Sequence, residues 1–142
     1  MIKFENKYFR KFNFSKNQIR KYLDSAYKDL KIAKNANIAE VKFQFTYNAF
    51  IKLGISLIAC YGYKVKSRLG HHIKILEKMS EILKNEDVLM YGNEMRKTRN
   101  IELYDGGSTI ITNKQAKEYL DFIEKIFDLS KGILKKHLGT LF

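Results

Sequence analysis

Not one proline interrupts these 142 residues. Proline removes a backbone donor and clashes with the turn before it, so its absence fits long uninterrupted helices joined by glycine and asparagine turns. Divided at those turns, the sequence predicts about five helical segments in a single domain over residues 15–142. A basic, aromatic segment, Met1–Phe14, precedes them. Its Phe4, Tyr8, Phe9, Phe12 and Phe14 follow no clear period, leaving open whether it packs on the body or serves as an arm.

Ser15 with Gln18 has the capping-box spacing, in which each side chain satisfies a backbone amide of the other residue. Ile19, Leu23, Ala26, Leu30 and Ala33 then recur at helical spacing until about Asn35. Asn37 with Glu40 repeats the capping pattern and opens a run to about Tyr61. Its apolar residues (Phe43, Tyr47, Phe50, Leu53, Leu57 and others) cover nearly every face. A helix apolar all round is buried, so this is the expected central helix, or one whose second face makes a dimer. Gly62 ends it, and Tyr63–Gly70 reads as a basic connection.

A shorter helix, about His71–Lys84, carries Ile73, Leu76, Met79 and Leu83. Asn85 is placed to cap a fourth, in which Glu86 and Asp87 complement the positive N-terminal dipole. That helix is expected to end near Tyr104, with Asp105-Gly106-Gly107 as its stop signal. Thr112 with Gln115 opens a long last helix through Ala116, Leu120, Ile123, Phe127, Leu134 and Leu138. The expected fold is all-α, an antiparallel four- to five-helix bundle.

Charge narrows the function. Lys and Arg number 27 against 15 acidic residues, a formal +12. Such an excess attracts phosphates, and nucleic acid is its usual partner. The same lysine-rich composition also follows from AT-rich coding, and a basic surface serves solubility or an acidic partner equally well. The single Cys60 excludes an internal disulfide, and its apolar surroundings, Ile55–Tyr61, read as those of a buried thiol. No stretch suits a signal peptide, and the most apolar segment, Ala49–Tyr63, is short for a membrane span and carries Lys52. A cytoplasmic protein without membrane partner is the expectation. No phosphate-cradling glycine loop, nucleophile elbow or metal-ligand spacing is present, so no cofactor and no metal are expected.

The informative stretch runs from Glu94 to Gly107. Arg96, Asn100 and Tyr104 are four apart and share one helical face, with Arg99 at its edge. Arginine offers a permanently charged fork that matches phosphate, and asparagine and tyrosine add hydrogen bonds and a stacking surface. Periodicity leaves two readings open: a ribose-phosphate site, or a solvated face with an intrahelical polar network. Lys97, Lys64 and Arg68 are further candidate phosphate contacts. His71 and His72 begin a helix, where the dipole disfavours their charged form; adjacent on a helix, they point in different directions and make no metal pair. Capping and packing are their simplest roles, with a part in the cleft as the alternative.

This arrangement resembles the HEPN superfamily, helical bundles with an Arg-(polar)-x-x-x-His signature near the end of a late helix. Arg99 and Asn100 match its first two positions, and Tyr104 stands at that of the histidine. Gly62-Tyr63-Lys64-Val65 followed by Gly70-His71-His72 is similar to the GYR…GHH segment of one branch, in which an Arg-Asn-x-x-x-Tyr ending is common. The resemblance spans roughly Ser15–Leu138. It implies a homodimer binding RNA or nucleotide phosphate, and a toxin–antitoxin or phage-defence setting, often beside a nucleotidyltransferase. Catalytic members resemble metal-independent ribonucleases; here Arg99 would bind the scissile phosphate, Asn100 would orient it, and Tyr104 would occupy the catalytic histidine's place. A phenol with a pKa near ~10 is protonated at neutral pH and a poor general base. The resemblance therefore also implies an alternative, a non-catalytic partner subunit of a nucleotidyltransferase. A plain helical interaction module is the reading in which the charge carries no function.

Overall fold

The computed structural model of the chain describes residues 1–104 and 111–139, the side chains of residues 102–104 excepted. Asp105-Gly106-Gly107, the expected stop signal, lies outside the described residues. Five helices make up the body: α1 (Lys16–Asn35), α2 (Ala39–Cys60), α3 (His71–Leu83), α4 (Glu86–Tyr104) and α5 (Asn113–Leu138). The fold is an all-α bundle, with one short ribbon added. No helix among the described residues is long and apolar enough to cross a membrane.

Local chemistry sets most of the helix starts. Ser15 and Thr112 each close a full capping box, with Gln18 and Gln115 respectively. The Asn85 side chain accepts from the Asp87 amide at 3.0 Å. Helix α2 departs from expectation: it begins after Ile38, which makes no side-chain cap, and Asn37 takes no capping role. The tight α1–α2 joint is held from the other side. Lys42 Nζ reaches back to the Ala33 carbonyl at 2.7 Å, sharing that acceptor with the Ala36 amide at the end of α1.

Helix α2 is the core. Phe43, Tyr47, Phe50, Leu53, Leu57 and Ile58 are all but fully buried, each such side chain contributing about 1.5–3 kcal/mol. Its buried threonine and serine hydroxyls are satisfied within the helix, Thr46 Oγ1 donating to the Lys42 carbonyl and Ser56 Oγ to that of Lys52. Lys52 brings a charge to the middle of this helix. Its ammonium sits 2.7 Å from the buried Asp29 carboxylate and 2.8 Å from Ser25 Oγ, both on α1.

Helix direction follows from the contacts. Between α2 and α5 they ascend together, Phe43 meeting Tyr119 and Phe50 meeting Phe122. Between α1 and α5 they run oppositely, Tyr27 meeting Phe127 and Lys34 meeting Glu124. Helices α1–α2 and α3–α4 are antiparallel hairpins on short joints. Across α2 and α3 the contacts again ascend together: Tyr47 faces His72, and Gly54 faces Ile75 and Met79. The expected antiparallel alternation is therefore broken once, at the connection from residue 61 to 70, which carries the chain back before α3 begins.

That connection is a strand for part of its length. β2 (Tyr63–Val65) pairs antiparallel with β1 (Phe9–Lys11), Phe9 opposite Val65. The N-terminal segment thus packs on the body. Phe9 is buried, Phe4 stacks on Tyr63 at 4.1 Å between ring centroids, and Glu5 receives the ammonium of Lys78 at 2.7 Å. Lys78 is only 3% exposed. The buried stripe of α3 keeps the expected Leu76 and Met79 but takes Ile75 and Ile82 in place of the expected Ile73 and Leu83, which are half-buried.

Candidate nucleic-acid interface

The α3–α4 hairpin decides where the sequence's chemistry meets. Its turn is at Lys84 and Asn85, so the first residues of α3 lie opposite the last turns of α4. The turn is tight enough that Lys84 adopts a left-handed conformation, φ 52°. A close approach holds the register: Gly92 of α4 has no room for a side chain, since a Cβ there would meet Leu76 Cδ2 at 2.6 Å.

The result is an open cleft of about 530 Å³. Arg96, Arg99 and Asn100 form one wall, and Arg68, His71 and His72 the other, with Leu69 and Gly70 at the rim. Six of the sequence-predicted site residues therefore come together. Lys97 is exposed outside the cleft lining, and Lys64 lies on β2 with its ammonium 5.5 Å from the Phe12 ring. The main chain of Tyr104 ends α4, and its side chain lies outside the described residues.

Each arginine is aimed by a different neighbour. Arg96 Nε and Nη2 both donate to Asn93 Oδ1, at 3.2 and 3.0 Å. The Arg99 guanidinium lies over the ring of Tyr47, 5.6 Å from its centroid, and its Nε is buried with no hydrogen-bond partner among the described residues. No carboxylate pairs with Arg68, Arg96 or Arg99 among the described residues. Gly70, at φ 80°, precedes α3 without offering a side chain to its first amides, so the positive helix end adds to the same field. Three cations and a helix N-terminus with no anion beside them among the described residues form a concavity suited to a phosphate group.

The histidines are fixed differently. His71 Nδ1 lies 2.6 Å from the Arg68 carbonyl oxygen, and His72 Nδ1 lies 2.9 Å from the Tyr47 hydroxyl. The two rings are 4.5 Å apart between centroids, so they share the cleft rather than diverging as expected of adjacent helix residues. Burial, then His71, Arg99 and Arg96, push the pKa of His72 down to about 4. The direction matches the expectation from its helix position, but desolvation is the first cause. Burial likewise pushes the Tyr47 phenol up to about 12, against the pull of Arg99 and Arg96. Both groups are therefore neutral at pH 7.

Tyr47 and Asn93 are the functional neighbours that sequence reasoning missed. Tyr47 is one aromatic residue among many on an apolar helix, and nothing local marks its hydroxyl as the group that meets His72. Asn93 had a signal, its i,i+3 spacing to Arg96. Cys60 is as expected, a half-buried thiol pushed up to about 11 by burial and so unreactive at neutral pH. No group of three or more histidine, cysteine or carboxylate side chains among the described residues is arranged to hold a metal ion. No family profile, curated protein or solved structure matches the chain.

Proposed function

We propose that the chain is a HEPN-like protein that binds RNA through its phosphates in the cleft between α3 and α4, in a system of the toxin–antitoxin or phage-defence type. The observation that carries this reading is the convergence of Arg68, Arg96 and Arg99 with no acidic partner among the described residues, and a buried Nε on Arg99 that none of them meets. A buried donor left unmade costs about 1–3 kcal/mol, which a bound anion would recover. Guanidinium forks match the bidentate geometry of phosphate, Asn100 adds a neutral donor and acceptor, and exposed Leu69 at the rim offers an apolar surface to a sugar or base. A homodimer, as the resemblance implies, would set two such clefts in one assembly.

The test is binding of a labelled single-stranded RNA, in EDTA, across a salt series. Three phosphate contacts predict a slope of about −2 for log affinity against log salt, and Arg99→Ala should weaken binding and reduce that slope by roughly 0.7. Undetectable binding, or binding indifferent to salt and to Arg99, would refute the reading and leave a helical interaction module. Salt-sensitive binding without any strand cleavage would match the non-catalytic class, the partner subunit of a nucleotidyltransferase.

A further inference from the structure

The two histidines of the cleft are held in opposite tautomers. A backbone carbonyl can only accept, so His71 Nδ1, 2.6 Å from the Arg68 oxygen, carries a proton. In the neutral ring the lone pair is then on Nε2, which has no partner among the described residues. His72 is the reverse. The Tyr47 hydroxyl is fully buried and has His72 Nδ1 as its acceptor at 2.9 Å, so the tyrosine donates, Nδ1 accepts and the proton of the neutral ring sits on Nε2. One ring at the cleft wall is built to take a proton, and its neighbour 4.5 Å away to donate a hydrogen bond. Both face the arginines across the cleft.

Resting on the phosphate-binding reading above, we propose that His71 Nε2 is the general base of an RNA-cleaving site, drawing the proton from a ribose 2′-hydroxyl whose 3′-phosphate is held by Arg96 and Arg99. The 2′-oxygen attacks the phosphorus and forms a new P–O bond. The bond to the 5′-oxygen of the next nucleotide breaks, and that oxygen leaves with its electron pair and takes a proton from water. The products are a 2′,3′-cyclic phosphate and a 5′-hydroxyl end, and His71 returns its proton to solvent. His72 keeps its proton and donates from Nε2 to a phosphate oxygen, beside the guanidinium of Arg99. No oxidant or metal enters this balance. The substrate must carry a 2′-hydroxyl, which separates RNA from DNA at the step itself.

The experiment uses the full chain in EDTA with a short mixed-sequence single-stranded RNA, and the same strand carrying 2′-deoxyribose throughout. Expected are cleavage of the RNA to 2′,3′-cyclic phosphate ends, none of the deoxy strand, and a loss of about 10²–10⁴-fold in rate in His71→Gln with RNA affinity nearly unchanged. The side chain of His71 is partly exposed and its one hydrogen bond among the described residues is to the Arg68 carbonyl, so the variant should fold, and the deoxy strand makes the test independent of any variant. Salt-sensitive binding with no cleavage, or cleavage that survives His71→Gln at full rate, would overturn the role of His71 and leave phosphate binding standing. Cleavage of the deoxy strand would overturn the 2′-hydroxyl step. Absence of binding as well would overturn both readings.

Discussion

The contact between α2 and α3 depends on a missing side chain, and filling it should loosen the helix pair that carries the cleft. A Cβ on Gly54 would lie 2.5 Å from Ile75 Cγ2 and 2.6 Å from Met79 Sδ. Met79 can swing its thioether aside, but Ile75 Cγ2 is one bond from a stiff, fully buried Cβ. Overpacking of this kind costs about 1–3 kcal/mol, while alanine in place of a helical glycine gains about 0.5–1. Gly54→Ala should therefore destabilise the fold by about 1–2 kcal/mol. In urea this reads as a midpoint lowered by roughly 0.5–1 M at constant slope. Tyr47 is two turns earlier on the same face of α2, so the variant should also disturb the Tyr47–His72 hydrogen bond, visible in the ring ¹⁵N shifts of His72. Gly132→Ala is the matched control: α5 has open space there, and the same substitution should stabilise by about 0.5–1 kcal/mol. If Gly54→Ala proved as stabilising as Gly132→Ala, the close approach of α2 and α3 would be refuted.

Further expectations concern the polar groups. Tyr47→Phe removes the hydroxyl that meets His72 Nδ1 and should cost about 1–2 kcal/mol, measured by denaturation, and release the His72 tautomer, measured by ¹⁵N NMR. His72 also makes stability fall with acid. Its folded pKa of about 4 lies below the ordinary value of 6.5, so between these the unfolded chain binds the proton first; the contribution is complete above pH 6.5 and drains away towards pH 4. A shift of that size corresponds to roughly 3 kcal/mol, which the ring's partial access to water reduces to about 1–2. His72→Gln should flatten that limb of the stability–pH curve, and an unchanged limb would assign it to other groups. Lys52→Met strands the buried Asp29 carboxylate and should cost about 1–3 kcal/mol, the half-exposed lysine keeping the loss below that of a fully buried pair. Adding Asp29→Leu should restore much of it, whereas additive losses would show that the pair is not coupled.

The outer helices were legible because their signals are local. Ser15/Gln18 and Thr112/Gln115 carry their caps in four residues, and the stripes of α1 and α5 face one core each. Asn37 misled because a capping pattern is only an offer. At a three-residue joint the entry to α2 is held by Lys42 reaching back to α1, which no pattern records. Helix α3 was legible in Leu76 and Met79 but not in Ile75 and Ile82, because its buried face is shared between α2 and an N-terminal cover whose pairing partner is distant in sequence. The arginine-bearing wall of α4 was legible as a row, Arg96 to Asn100. Its opposite wall was legible in principle: His71 and His72 precede the Lys84-Asn85 turn by nearly as many residues as Arg96, Arg99 and Asn100 follow it, so an antiparallel hairpin superposes them. The Tyr47–His72 bond was beyond such reasoning, since it depends on how α2 crosses beneath that hairpin.

The ribbon of β1 and β2 sets an order on the making of this molecule. Residues 9–11 are synthesised long before residues 63–65, and until those emerge the first strand has nothing to pair with. By then α1 and α2, whose contacts are near in sequence, can already have docked as a hairpin. Only the closing of the ribbon fixes Lys66, whose amide donates to the Tyr8 carbonyl at 2.7 Å, and with it the approach to Arg68 and the start of α3. On the growing chain the arginine-lined cleft is therefore assembled after the α1–α2 hairpin, and a nascent chain halted within α3 would hold that hairpin without the α4 wall of the cleft.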